Sequence, residues 1–230
     1  MSDNAIPKTR PLVVELVGPA GVGKTTLLRV LNQQNPEVVA GVHPHRGRYA
    51  ISLISNTLLF LPTFLWRYRK SRWFTWNETR SMMHLKAWYH ILKQKAPSNN
   101  LATILDHGPI FILTQLREFG PVFTKSELYD KWWHKSLDQW GSILDLVIWL
   151  DAPDAILLER IFDRNRRHKV KQKSEEERYD FLARYRESFQ SIKVKLAMYP
   201  NIRNLHFQTD QKPPEHLADE ILAILEGEVK

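Results

Sequence analysis

The chain of 230 residues is 43% hydrophobic and 25% charged and holds no cysteine, a composition of one globular domain rather than of a disordered, collagen-like or coiled-coil chain. The missing thiols exclude a disulfide framework, cysteine-ligated zinc or iron–sulfur centres and a thiol nucleophile. The formal net charge of +8 is concentrated, since residues 1–100 carry 14 Lys and Arg against 4 Asp and Glu; such a basic block suits nucleic acid, an anionic membrane surface or a phosphorylated small molecule.

The opening residues Met1 to Pro11 are polar and lack the apolar core of a signal peptide, so a cytoplasmic address is the expectation. A β-branched apolar run, Leu12 to Val17, then leads straight into GPAGVGKT at 18–25 and a helical pattern. This is G-x-x-x-x-G-K-[ST] in its strand, turn and helix context. Gly18, Gly21 and Gly23 permit a backbone whose N–H groups converge on phosphate oxygens, with Pro19, Ala20 and Val22 completing the cradle. The helix N-terminus behind them favours an anion. Lys24 is expected at the β- and γ-phosphates of ATP, the Thr25 hydroxyl on Mg²⁺, and Thr26 beside them.

Further along, short apolar runs alternate with helical patterns, as a parallel α/β sheet requires. The expected strands after the first are Glu37–Val42, Leu101–Leu105 ending at Asp106, Leu146–Leu150 ending at Asp151, and Leu205–Gln208. Helices are expected over Thr25–Asn32, at least twice between Ile51 and Lys95, once or twice between Ile110 and Trp140, then over Pro153 to about His168, Glu175–Met198 and Pro214–Glu226. Ligands of open parallel sheets bind at the carboxyl ends of strands, which gathers the glycine loop, Asp106 and Asp151 at one crevice.

Asp106 is the candidate acidic partner of the loop, able to hold Mg²⁺ or to take a proton from an attacking hydroxyl; a turn aspartate before Gly108-Pro109 is the plain alternative. Asp151 precedes Pro153 at a helix start, where a capping role competes with chemistry. From Arg160 to Lys173 there are seven Lys and Arg against Asp163. Arg160, Arg164 and Arg167 share one face if the helix persists, and their guanidinium forks suit charge developing on a phosphoryl group. A lid over 160–178 is one reading, and a solvated helix end is the other.

Taken in order, these features resemble the thymidylate kinase and deoxyribonucleoside kinase group of P-loop phosphotransferases over nearly the whole chain. GPAGVGKTT is similar to the family's loop, Asp106-His107-Gly108 stands at its Asp-Arg-Tyr or Glu-Arg-Ser segment, and Leu150-Asp151-Ala152-Pro153 with Leu158-Glu159-Arg160 resembles the approach to its lid helix. Arg160 and Arg164 match lid arginines, and Phe181 to Phe189 looks like the helix after the lid. The resemblance implies a three-layer α/β/α fold with a five-stranded parallel sheet of order 2-3-1-4-5 and a helical acceptor and lid subdomain. It also implies transfer of the γ-phosphoryl group of ATP, with Mg²⁺, to a small hydroxyl or phosphate acceptor. Val17 stands where the family carries a carboxylate, with Glu15 on the same face, and His107 where it carries an arginine touching acceptor or phosphates. The segment His43 to Arg48 matches the acceptor-side loop only loosely, so thymidylate itself is not the expected acceptor.

Residues 43–95 fall where this family builds its acceptor site. They hold Trp66, Trp73, Trp76 and Trp88 among Arg67, Arg69, Lys70, Arg72, Arg80 and Lys86. Arg80 and Lys86 are the acceptor-site candidates, together with His107. The run Ile51–Trp66 is short and polar for a bilayer span, yet with its basic flanks 43–72 could lie on an anionic membrane surface. The charge pattern therefore leaves open an acceptor pocket, a membrane or partner surface including a homodimer, and nucleic acid, for which no module is recognisable. A nucleotide-binding ATPase or regulator acting on a membrane or protein partner is the alternative to a kinase.

Overall fold

β1 (Leu12–Val17) is buried at all six positions in the computed structural model, which describes residues 10–41, 46–94, 100–165 and 169–229. A strand covered on both faces needs the near-continuous apolar run seen here, and it takes the centre of the sheet. The remaining strands are β2 (Val38–Ala40), β3 (Ala102–Asp106), β4 (Leu146–Asp151) and β5 (Arg203–Gln208). All pairings are parallel and the order is β2-β3-β1-β4-β5. This is the expected 2-3-1-4-5 sheet. Between and after the strands lie α1 (Lys24–Gln34), α2 (Arg46–Thr63), α3 (Trp76–Lys93), α4 (Pro109–Phe119), α5 (Glu127–Gly141), α6 (Asp154–Asp163), α7 (Glu175–Leu196) and α8 (Pro214–Val229).

Two compact units result. The first comprises 10–41, 100–106 and 144–229 and contains the whole sheet. Its core joins Val14, Leu16, Ile104 and Ile148 of the strands to Leu27 and Leu31 of α1 and Ile221 of α8. Register at the base is fixed by Asp145, whose Oδ2 accepts from Arg10 at 2.8 Å and from the Val13 amide at 2.8 Å. α7 begins with a reciprocal capping box between Ser174 and Glu177, which satisfies two otherwise orphaned amides.

The second unit comprises 46–94 and 107–143, with α2 running into a π-helical turn at Phe64–Tyr68 just after Pro62. Its centre is aromatic. Phe60 is fully buried, with ring centroids 5.4 Å from Phe123, 5.6 Å from Trp132 and 5.9 Å from Tyr129. Phe60→Ala should destabilise the protein by about 3–5 kcal/mol, because a cavity of that size closes only partly. A urea-denaturation midpoint unchanged from wild type would contradict this packing.

Several expected boundaries moved, three of them for a visible reason. β2 is shorter than Glu37–Val42, since Gly41 turns left-handed at φ 71 while its amide bonds to the Ile104 carbonyl, and Val42 lies outside the described residues. β5 starts earlier than Leu205, because Arg203 and Asn204 pair with Leu146 and Val147 as a polar edge strand. α6 stops at Asp163 instead of reaching His168, and Arg164 is extended. There the Lys171 ammonium donates to the Phe162 and Arg164 carbonyls, capping the end that the sequence pattern would have continued.

Candidate active site

The glycine loop follows β1 directly, and two of its glycines are required by contact as well as by conformation. A methyl group on Gly18 would sit 2.3 Å from the Leu150 carbonyl oxygen, and one on Gly21, at φ 88, would sit 2.6 Å from that of Leu157. The loop thus rests against the end of β4 and against α6. α1 starts at Lys24 behind a left-handed Gly23, with no side-chain cap and no acid in its first turn. Its leading amides and the positive end of its dipole are left for an anion.

Lys24 is buried, and its Nζ donates to the carbonyls of Gly18 at 2.7 Å and Pro19 at 3.0 Å. Burial pushes its pKa down to about 8; Asp106 opposes this, Arg164 adds to it, and Glu15 opposes it more weakly. Glu15 is itself fully buried on β1. The Thr25 hydroxyl donates to Asp106 Oδ2 at 3.1 Å, so the loop's threonine and the acid at the tip of β3 meet as the sequence motif anticipates.

These residues fit the groups that the fold implies. One hydroxyl and one carboxylate side by side match Mg²⁺, which keeps several waters and phosphate oxygens and needs few protein ligands. The uncapped helix start and the narrow glycine loop match a polyphosphate.

Beside the loop lies a cavity of about 580 Å³, bounded by Gly21, Thr26, Arg160, Arg164, Pro213 and Leu217. That volume accommodates a nucleoside-sized group. Arg160 forms part of its wall, with Nη1 on Thr209 Oγ1 at 3.0 Å and Nη2 on the Thr209 carbonyl at 3.0 Å. Its fork is therefore held by the end of β5. Arg164 has left the helix and is exposed, close enough for its charge to act on Lys24. Arg167 lies outside the described residues.

No protein-family model and no curated protein matches the sequence. Solved structures do match. Deoxyadenosine kinase from M. mycoides, determined with bound dATP, matches with a TM-score of 0.52 at 17% identity over 92% of this chain and 100% of that one. Thymidylate kinase from Candida albicans gives 0.54 at 15% identity, covering 96% and 94%. YorR from Bacillus subtilis, determined with phosphorylated GDP, gives 0.52 at 15%, covering 93% and 95%. The fold is that of the P-loop nucleoside and nucleotide kinases. At these identities the likeness carries the architecture, and the chemistry has to be argued from the side chains.

Within the P-loop kinase fold, Asp151 is committed to structure. Arg186 of α7 donates to Asp151 Oδ1 at 3.1 Å, to the Ala152 carbonyl at 2.8 Å and to Asp154, which clamps the start of α6. The loop after β5, with Thr209 and Pro213, and Leu217 at the start of α8 are not among the residues the sequence pattern singles out, although the strand-end rule applies to that loop equally.

In the second unit, His107 has left-handed backbone at φ 58 and its ring lies 4.4 Å from that of Phe111. Arg80 is exposed, and its charge acts on Tyr49 and His84. The His84 ring stands 5.2 Å from Tyr49 and 4.8 Å from Trp88. Burial, and then Arg80, lowers the His84 pKa. Lys86 instead donates to Ser55 Oγ at 2.7 Å in a cavity of about 310 Å³ between α2, α3 and α5, walled by Asn56, Trp132 and Trp140. Six residues of helix turn by about 240°, so Arg80 and Lys86 occupy different faces of α3. His43, Pro44 and His45 lie outside the described residues.

Proposed function

We propose that the protein is an ATP- and Mg²⁺-dependent phosphotransferase that moves the γ-phosphoryl group to a small acceptor, a nucleoside, a nucleotide or another small hydroxyl or phosphate compound. The observation that carries this reading is the Thr25–Asp106 hydrogen bond beside the buried Lys24 at the mouth of the glycine loop. It joins an electrostatic cradle to an acid able to act on an acceptor.

Lys24 would bear on the β- and γ-phosphate oxygens, and the α1 amides would hold the chain of phosphates in line. Asp106 would accept the proton of an attacking hydroxyl as the new oxygen–phosphorus bond forms and the bond to the β-phosphate oxygen breaks, releasing ADP. Arg164 would follow the charge on the transferring group, while Arg160, held by Thr209, would shape the cavity for the nucleoside moiety. Mg²⁺, held by Thr25 and Asp106, would supply charge neutralisation on the phosphate oxygens. Positioning and electrostatics account for most of such a reaction. Acting on soluble metabolites, the enzyme would work in the cytoplasm.

The test is ADP release with and without a panel of nucleosides, nucleoside monophosphates and phosphosugars. The reading expects turnover that depends on one class of acceptor. Steady acceptor-independent hydrolysis would instead favour a nucleotide-binding ATPase or regulator.

A further inference from the structure

The helix formed by α2 and the π-helical turn that continues it is amphipathic in the inverted sense. The side it turns inward carries Ser52 and Asn56 as well as Phe60 and Phe64, all buried. The side it turns outward carries Ile51, Ile54, Leu58, Leu61 and Leu65, spaced by alternating threes and fours and therefore on one stripe. Ile51 is 67% exposed and Leu58 70%. Trp66 follows at 86% exposure, and Arg67, Arg69 and Lys70 are exposed immediately after it. An apolar stripe of this length facing water marks a surface that something else covers.

Charge decides what covers it. From Val38 to Asn77 the sequence contains no Asp or Glu, while Arg46, Arg48, Arg67, Arg69, Lys70 and Arg72 bracket the stripe at both ends. Arg72 is paired with Glu78, whereas Arg67, Arg69 and Lys70 form no ion pair among the described residues. A second copy docked α2 against α2, in either direction, would set the cations of this segment against one another with no acid between Val38 and Asn77 to answer them. An anionic lipid surface supplies the missing charge, receives the apolar stripe, and accommodates a tryptophan at the boundary between the two. The stretch Tyr49–Tyr68 has a mean hydropathy of 1.4, enough by length and composition to cross a bilayer. Its inner side is nevertheless packed into the second unit, so the geometry is that of a helix lying on the surface.

We propose that the outer face of α2, with Trp66, Arg67, Arg69 and Lys70, docks the protein on membranes rich in anionic phospholipid. This inference is independent of the phosphotransfer reading. It is tested by co-sedimentation of the full-length protein with phosphatidylcholine vesicles with and without phosphatidylglycerol, at low and high salt. Binding is expected only with phosphatidylglycerol and should weaken with salt. The triple variant Arg67→Gln/Arg69→Gln/Lys70→Gln should lose about a hundredfold in partitioning. The double variant Leu58→Gln/Leu65→Gln should lose binding while keeping the wild-type thermal midpoint, since both residues face solvent. Failure of the wild type to bind phosphatidylglycerol vesicles at low salt would overturn the proposal. So would undiminished binding by the triple variant, or a solution dimer of the wild type that the double variant abolishes, which would assign the face to a second copy.

Discussion

Lys24→Ala is expected to lower acceptor-dependent phosphotransfer by about three orders of magnitude or more, the scale seen when a preorganised cation is taken from a transferring phosphoryl group. The ammonium is already in place, pointed into the loop by the Gly18 and Pro19 carbonyls, so a ligand phosphate competes for a donor that needs no reorganisation. Burial brings its pKa down to about 8, which gives the prediction a sign. Below pH 8 the free enzyme holds the charge. As the pH rises through 8 the charge is lost, and kcat/KM for ATP should fall by up to about tenfold per pH unit. Bound polyphosphate favours the protonated form, so the corresponding limb of kcat should lie at higher pH. Lys24→Arg, whose side chain stays protonated, should flatten the alkaline limb whatever its absolute rate. An alkaline limb that persisted in Lys24→Arg would assign the titration to another group.

Asp106→Asn should lower turnover by about two to four orders of magnitude and leave the affinity for ATP measured without Mg²⁺ within a few-fold of wild type. The substitution is nearly isosteric, and an amide oxygen can still accept the Thr25 hydroxyl that now reaches Asp106 Oδ2 at 3.1 Å. What it removes is the negative charge and the capacity to take a proton. Calorimetric ATP binding beside acceptor-dependent ADP release separates the two effects. Unchanged turnover would reduce Asp106 to the turn aspartate that its position before Gly108-Pro109 also allows.

Much of this architecture is written locally. The apolar run of β1 requires burial on both faces, and the glycines of 18–23 require a loop no other residues could form, so the strand, loop and helix were legible without tertiary information. The Thr25–Asp106 pair was legible too, because parallel strands bring their carboxyl ends together. What escaped the sequence depends on distant partners. The direction of Arg160 is set by Thr209, 49 residues away, and the end of α6 by Lys171, which has to fold back over the intervening turn to reach the Phe162 and Arg164 carbonyls. Arg80 and Lys86 share a basic segment but not a helix face. The apolar run of α2 was visible as composition, whereas its inversion was not, since only packing tells which side of a helix is covered.

The central claim, transfer to an acceptor rather than to water, is tested most directly by following the phosphoryl group itself. ATP labelled at the γ-phosphate, incubated with Mg²⁺ and the panel of nucleosides and nucleotides, should place label in a phosphorylated acceptor in step with ADP, and Lys24→Ala should abolish both. Label appearing only in inorganic phosphate, at a rate indifferent to every acceptor, would contradict the account.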